Sequence, residues 1–153
     1  MSGRPPSGTD RSAIEFEREA YGAIIEHARA GAPEEVCGVL GGEYGAHCSR
    51  VRTVRRAENA AENPETRYAI DPAEAIGLIE GIEKRGEDLV GFYHSHPVGP
   101  TEPSRTDTER AAWPGKSYVI VALDGEPFVG AWRWNGEDGR FEGETVRLLP
   151  RER

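Results

Sequence analysis

One segment, residues 88–107, constrains the chain more than any other: DLVGFYHSHPVGPTEPSRTD. It opens with an apolar run that ends in two histidines one residue apart, which predicts a buried strand carrying both imidazoles. Because side chains two apart on a strand point to the same face, His94 and His96 aim at one point and the residue between them faces away. Three prolines restrict the loop that follows, and that loop ends in Ser104 and Asp107.

The rest of the chain predicts a mixed α/β (α+β) fold in which helices flank a largely antiparallel sheet. Amphipathic periodicity and capping residues predict two helices, at about 18–30 and 72–84, the second with Asp71 as its N-cap. Alternation or short apolar runs predict strands at 14–16, 36–40, 48–56, 66–70, 88–96, 117–123, 127–135 and 140–149.

Three local signals refine this pattern. A capping box at Ser12–Glu15 offers a competing helix start where the first strand is expected. A short helix capped by Ser104 or Thr106 is predicted to run through Trp113. The pairs Asp-Gly at 124–125 and 138–139 indicate hairpin turns between the last strands.

Length and composition fit a single domain. A chain of 153 residues can bury one core, and the sequence has neither an internal repeat nor a second apolar centre. We expect residues 12–150 to form the domain and residues 1–11, rich in Gly, Pro and Ser, to be a disordered leader. We find no secretory signal and no apolar run near the roughly 20 residues that span a bilayer, so we expect a cytoplasmic protein without a membrane partner.

The charge balance excludes one broad class of function. With a formal net charge of −8, the chain has no basic stripe that could displace counterions from nucleic acid, so no nucleic-acid partner is expected. Seventeen arginines stand against two lysines, Lys84 and Lys116, a bias typical of a high-salt cytoplasm or a GC-rich genome.

The two cysteines are predicted to be structural. Cys37 and Cys48 are too few for a disulfide framework, and neither belongs to a C-x-x-C pair of metal ligands. Both are therefore expected to be buried, reduced thiols.

The histidine segment carries the chemistry. Two neutral imidazoles and one carboxylate form a familiar catalytic zinc set with a fourth position left for water, and Asp107 is the obvious carboxylate. Alone, H-x-H is a weak signal, because one histidine could be a satisfied strand residue and the other merely exposed. The apolar strand before the pair and the Ser-x-x-Asp after the loop favour the metal site.

At these residues the chain resembles the JAMM, or MPN-plus, metalloprotease family. His-Ser-His-Pro at 94–97 and Pro-Ser-Arg-Thr-Asp at 103–107 are similar to the family's His-x-His-Pro and Pro-Ser-x-x-Asp. The family also has a glutamate in a Pro-x-Glu-x-Cys-Gly context, which residues 33–38 match and which falls on Glu35. The resemblance covers about residues 14–149 and implies the JAMM/MPN fold, with a cytidine-deaminase-like core.

The resemblance also implies a role for each matched residue. His94, His96 and Asp107 correspond to the ligands of one catalytic Zn²⁺. Glu35 corresponds to the general base that takes a proton from the zinc water, whose pKa zinc lowers to roughly 7, and passes it to the leaving amine. Ser104 corresponds to the hydroxyl that stabilises the oxyanion. The alternatives are a solvated loop acid at Glu35 and a simple helix cap at Ser104.

Members of the family hydrolyse bonds at the C-terminal Gly-Gly tail of ubiquitin-like proteins. We expect such a tail to add as a strand in a groove between residues 66–70 and 99–102. The nearest aromatic residues, Phe92, Tyr93 and Trp113, are predicted to pack in the core. Two other zinc chemistries are excluded, since the chain has neither an H-E-x-x-H helix nor the P-C-x-x-C of zinc deaminases.

Three functions follow from the resemblance. The favoured one, because the chain is compact, acidic and poor in lysine, is an archaeal desampylase-like zinc isopeptidase that removes a ubiquitin-like modifier from target lysines. The alternatives are a peptidase that releases an amino acid such as cysteine from a ubiquitin-like sulfur carrier, and an inactive scaffold or binding module. The sequence leaves open the oligomeric state and the order of the loop at 98–103 without substrate.

Overall fold

The computed structural model describes residues 11–124 and 128–150. Within these ranges the chain forms seven strands and three helices. The strands are β1 (Ala13–Phe16), β2 (Cys37–Glu43), β3 (Cys48–Ala57), β4 (Asp88–His96), β5 (Ser117–Ala122), β6 (Phe128–Asn135) and β7 (Arg140–Leu148). The helices are α1 (Arg18–Gly31), α2 (Pro72–Lys84) and α3 (Arg105–Arg110). The expected disordered leader lies outside the described residues except for Arg11.

The strands form one sheet that closes into a barrel in the order β1-β3-β2-β4-β5-β6-β7. Strand β2 is antiparallel to β3 and β4, and β6 is antiparallel to β5 and β7. Strand β1 pairs in parallel with both β3 and β7, and β4 pairs in parallel with β5. The mixed α/β class is therefore as predicted, and the sheet, expected to be largely antiparallel and flanked by helices, closes into a barrel.

Strand β4, which carries the histidines, is buried on both faces. Every residue from Leu89 to His96 is buried. Val90 and Tyr93 join an apolar cluster with residues of α1, while Leu89 and Phe92 join a second cluster with Ile82 of α2. A strand covered on both sides has no polar face to alternate with, which is why it appears in the sequence as a continuous apolar run.

Gly91 allows β4 to lie close to β5. A side chain at Gly91 would collide with the main-chain carbonyl of Ser117, which is its partner in the parallel register. That register sets His94 opposite Ile120 and His96 opposite Ala122. Both histidines therefore lie at the C-terminal end of β4.

Several local predictions match the structure. Helix α2 begins after Asp71, whose carboxylate accepts the Glu74 N–H, and β4 has the predicted bounds. At the turn between β6 and β7, Gly139 has a φ of +63°, which suits glycine. The other expected turn includes Gly125, which lies outside the described residues.

Other local predictions were wrong. Residues 66–70 do not form the expected strand, because they have no ladder partner in the described part of the chain. The capping box at Ser12–Glu15 does not begin a helix, since β1 pairs at that point with β3 and β7. Helix α3 ends at Arg110 rather than at Trp113. Among the described residues, no helix combines the length and apolarity needed to cross a membrane.

Candidate metal centre

Three predicted ligand atoms converge at the end of β4. The Nε2 atoms of His94 and His96 lie 3.1 Å apart, and Oδ2 of Asp107 lies 3.1 and 3.2 Å from them. Tetrahedral zinc with bonds of about 2.0–2.2 Å holds its ligand atoms roughly 3.3 Å apart, so this triangle fits one such ion. The three side chains are almost fully buried, with 2%, 9% and 9% of their surface exposed.

The orientation of His96 shows which nitrogen is free to bind an ion. Its Nδ1 lies 2.7 Å from the carbonyl oxygen of Pro100. A carbonyl can only accept, so Nδ1 carries the proton and the neutral ring has its lone pair on Nε2. In the neutral ring Nε2 therefore directs that lone pair toward His94 and the Asp107 carboxylate, whereas in the protonated ring the same atom donates to Asp107. Electron-rich atoms this close to each other need protons or a cation between them, which is the environment a metal ion satisfies.

Helix α3 positions Asp107 through a reciprocal cap. Ser104 is the N-cap, and its Oγ accepts the Asp107 N–H at 3.0 Å, while Oδ2 of Asp107 accepts the Ser104 N–H at 2.8 Å. Ser104 is an exposed residue, and none of the described residues accepts its hydroxyl proton, so that proton is available for donation. The predicted ligand and the predicted oxyanion donor are thus parts of one capping box.

Glu35 lies between α1 and β2, with its side chain beside the histidines. Its residue is 7% exposed, and a carboxylate oxygen lies within 4.8 Å of the ligand nitrogens of His94 and His96. Burial raises the pKa of Glu35 to about 7; the nearby His96 opposes this rise and Asp107 adds to it. A carboxyl group with that pKa can both accept and release a proton near neutral pH.

The charges of the three predicted ligands are set by burial and by one another. Burial lowers the pKa of His94 and outweighs its hydrogen bond with Asp107, so the ring is neutral. For His96, burial also acts to lower the pKa, but the hydrogen bonds to Asp107 and the Pro100 carbonyl raise it above its ordinary value. Burial acts to raise the pKa of Asp107, yet the hydrogen bonds from both histidines hold it well below its usual range.

The residues between and before the ligands are structural. Ser95 faces away from the centre, as predicted, and its Oγ accepts the Val36 N–H at 2.8 Å. Cys37 is fully buried, and burial raises the pKa of its thiol to about 12, with Glu74 and Glu35 adding to the shift. The prediction that both cysteines are buried was wrong for Cys48, which is exposed on the first residue of β3.

Tyr68 is a site residue that the sequence analysis missed. Its ring stacks on His94 with centroids 4.3 Å apart and planes inclined by 22°. Sequence reasoning assigned Tyr68 to a strand, where the neighbours of its side chain cannot be inferred. The only available signal was an aromatic residue in a segment expected to flank the site.

An apolar groove of about 510 Å³ opens beside Asp107. It is lined by residues 66–70, by α2, by the segment after α3 and by Phe92 of β4. The lining includes Tyr68, Ile70, Ile76 and Trp113. Phe92 is buried, as predicted, but Trp113 is 42% exposed, so the prediction that it packs in the core holds only in part. Its ring lies 5.6 Å from that of Phe92 at the groove wall.

These features define a buried His-His-Asp cluster that could hold a metal ion, with an acid beside it and a groove leading to it. A sequence profile described as prokaryotic homologs of the JAB domain matches residues 17–135. The chain therefore belongs to the prokaryotic JAB family, and the resemblance to stand-alone JAMM/MPN-plus proteins is confirmed.

Individual relatives show the same relationship. The chain is 43% identical over 136 residues to a desampylase of Haloferax volcanii, covering 84% of this chain and 93% of that protein. It is 37% identical over 100 residues to the CysO-cysteine peptidase of Mycobacterium tuberculosis, covering 65% and 66%. A solution structure of a Desulfitobacterium hafniense protein superposes with a TM-score of 0.80 at 28% identity, covering 91% of this chain and 94% of that one.

Proposed function

We propose that this protein is a zinc-dependent isopeptidase. It hydrolyses the bond after the C-terminal Gly-Gly tail of a ubiquitin-like modifier and so removes that modifier from the lysine side chains of target proteins. The observation that carries the proposal is the convergence of His94, His96 and Asp107 within 3.2 Å, with the Glu35 carboxylate beside the two rings. The similarity to a desampylase over nearly its whole length supports the choice of substrate.

His94, His96 and Asp107 would hold the metal. Two imidazoles and a carboxylate are a donor set that suits zinc, and the spacing of the three atoms fits one ion. When bound, zinc supplies Lewis acidity that activates water and polarises a carbonyl. The Pro100 carbonyl and the Ser104 N–H orient His96 and Asp107 for that role, as outer hydrogen bonds commonly do at metal sites.

Glu35 would move the proton. It would take one from the attacking water and deliver it to the departing lysine amine, which must be protonated to leave. Its raised pKa of about 7 suits both transfers, because the carboxylate is a stronger base than an ordinary glutamate and its acid form still releases the proton readily. Burial, the cause of that shift, also keeps bulk water from competing for the proton.

Ser104 would stabilise the negative charge that develops on the carbonyl oxygen. Ser104 is an exposed residue that caps the helix carrying Asp107, and the Asp107 N–H holds its hydroxyl oxygen in place. A donor fixed before the reaction begins costs no reorganisation when the charge appears.

The finer structural assignments belong to the same proposal. We infer that residues 12–150 form one domain around a core of the cytidine-deaminase type and that the protein acts in the cytoplasm. The modifier's tail would enter beside residues 67–70, where the N–H groups of Tyr68 and Ile70 have no hydrogen-bond partner among the described residues and could pair with it, although the segment is not a strand of the barrel.

A second function is favoured by the similarity to the CysO-cysteine peptidase. The same centre would then release a single amino acid such as cysteine from a ubiquitin-like sulfur carrier. The two functions share the chemistry and differ only in the leaving amine.

Two substrates separate the functions. One is a ubiquitin-like protein joined through its C-terminal glycine to a protein lysine, and the other is the same protein extended by one cysteine. Preferential cleavage of the first by the zinc-loaded protein supports the isopeptidase, and preference for the second supports the carrier peptidase. If neither is cleaved and no stoichiometric zinc is bound, the protein is a scaffold. Glu35→Ala is the control, because it should abolish turnover of either substrate.

A further inference from the structure

The side-chain amide of Asn59 uses both its NH₂ donor and its oxygen acceptor in hydrogen bonds to the main chain. Its Nδ2 donates to the carbonyl oxygens of Glu35 and Arg67, both at 2.9 Å. Its Oδ1 accepts the N–H groups of Ala61 at 3.0 Å and Ala69 at 3.2 Å. Two carbonyls on one side and two N–H groups on the other allow only one orientation of the amide.

These bonds join two parts of the chain that are far apart in sequence. The Glu35 carbonyl lies just before β2, whereas Arg67 and Ala69 flank Tyr68 on the other side of a loop. The Glu35 N–H also donates to the Pro64 carbonyl at 2.7 Å, so the same loop holds the main chain of Glu35 on both sides of its Cα.

We propose that Asn59 is a positioning residue for the metal centre: its amide fixes the main chain of Glu35 and seats the ring of Tyr68 on His94. The position of the Tyr68 ring follows from these hydrogen bonds. Because the amide binds the residues before and after it, the ring is directed onto His94, with centroids 4.3 Å apart. Tyr68 covers one face of the buried His94 ring, whose Nε2 points toward Asp107.

This inference rests on the proposed function for its kinetic consequence alone. If Glu35 moves the proton, a shift of its main chain misplaces the carboxylate. Misplacement by about 1 Å can cost roughly 100-fold in rate. The loss through Glu35 should appear in kcat, whereas any displacement of Arg67 and Ala69, which Asn59 also holds and which line the groove, should appear in KM.

The test compares Asn59→Asp with Asn63→Asp. The first replaces the donating NH₂ by an oxygen that faces two carbonyls. The second makes the same change of charge in the same loop, at an exposed side chain for which the described residues provide no hydrogen-bond partner. Asn59→Ala removes the amide without adding charge. We expect both Asn59 variants to lose about 10- to 100-fold in kcat, whatever change in KM accompanies the loss, and Asn63→Asp to match the wild type in both constants.

A second readout needs neither substrate nor metal. A tyrosine ring stacked on His94 shifts the proton resonances of that imidazole upfield, and the chain has only four histidines to assign. In metal-free protein, Tyr68→Leu should remove this shift, both Asn59 variants should reduce it, and Asn63→Asp should leave it unchanged. Comparison with His94→Gln identifies the resonances.

The outcomes are distinguishable. Folded Asn59 variants with wild-type kcat, or with His94 resonances at wild-type positions, would overturn the positioning role. A wild-type protein that cleaves neither substrate would count against the proposed function, while the resonance test would still decide the role of Asn59. Should both Asn59 variants fail to fold, Tyr68→Leu tests the same assignment, and an unchanged kcat in it would overturn it.

Discussion

Ser104 and Asp107 hold each other in place: Oγ of Ser104 accepts the Asp107 N–H at 3.0 Å, and Oδ2 of Asp107 accepts the Ser104 N–H at 2.8 Å. The oxygen that accepts from Ser104 is the one that faces both histidines. The helix cap and the proposed metal site therefore use the same atoms, and the alternatives of cap and catalytic hydroxyl for Ser104 are not exclusive.

Ser104→Ala should therefore show two effects of different origin. Loss of the oxyanion donor should lower kcat by roughly 10²–10³-fold. Loss of the cap should cost about 1 kcal/mol of folding free energy. Steady-state kinetics and urea unfolding measure the two, and Ser104→Thr, which keeps a hydroxyl, should recover much of both. If kcat were unchanged in Ser104→Ala, the role of Ser104 would be limited to capping the helix.

Glu35→Gln should separate proton transfer from metal binding. The amide keeps the shape of the side chain but cannot accept a proton, so kcat should fall by about 10²–10⁴-fold. Zinc should remain stoichiometric, because Glu35 is not one of the three proposed ligands. Elemental analysis of the purified variant beside its kcat gives the result. Loss of zinc would instead make Glu35 a ligand and require a new assignment.

Chelation and alkylation should have opposite outcomes. A strong chelator should abolish cleavage, and added zinc should restore it. Iodoacetamide should modify the exposed Cys48 without loss of activity and leave Cys37 intact, because burial raises the pKa of that thiol to about 12. Mass spectrometry locates the modified residue, and Cys48→Ser is the matched control. Inactivation by alkylation with resistance to the chelator would refute a metal mechanism.

His27 should make folding stability depend on pH. Its Nδ1 lies 2.7 Å from the hydroxyl of the buried Tyr93, and burial, aided by the positive charge of Arg56, lowers the pKa of His27 to about 4. The unfolded chain binds this proton near pH 6.5, so between those values it holds more protons than the folded state. Stability should fall as the pH drops from about 6.5 toward 4 and be unaffected by His27 above that window.

The measurement is urea unfolding of the wild type and His27→Gln at pH 7.5 and 5. Because His27 is only half-buried, its contribution to the difference should be on the order of 1 kcal/mol. The variant should lose less stability on acidification than the wild type. Equal losses in the two proteins would assign the pH dependence to other groups.

The buried pair of Arg133 and Glu144 should be critical for the barrel. Nε of Arg133 lies 2.7 Å from Oε2 of Glu144, and their side chains are 9% and 0% exposed. The guanidinium also donates to the carbonyls of Gly45 and Ala46, which ties the β2–β3 turn to β6. Glu144→Leu alone should cost about 3–5 kcal/mol, since it leaves a buried cation unpaired.

The double variant Arg133→Met/Glu144→Leu is the matched comparison. It removes both charges, so it should be more stable than Glu144→Leu alone. Urea unfolding of the wild type, Glu144→Leu, Arg133→Met and the double variant gives the coupling free energy. A single variant within 1 kcal/mol of the wild type would show that the pair is not stabilising.

The elements that could be predicted are those with a signal inside a few neighbouring residues. Strand β4 has its predicted bounds, because burial on both faces makes the whole strand apolar. Helix α2 begins at its predicted residue, because Asp71 and Pro72 cap and start it locally. The segment at 67–70 was mistaken for a strand, since its composition suits a strand while its hydrogen bonds go to Asn59 and neighbouring loop residues.

By itself the sequence determined which side chains could form the centre. His94 and His96 are two residues apart on one strand, and Ser104 and Asp107 lie on one helical turn. The directions of these side chains therefore follow from strand and helix-cap geometry, which depends only on neighbouring residues. Only the tertiary structure decided the closure of the barrel through β1, the stacking of Tyr68 on His94 and the bonds that Asn59 makes to Glu35. Each of these depends on which distant segment packs alongside, and the free energy of that choice is spread over the whole core rather than recorded in any local pattern.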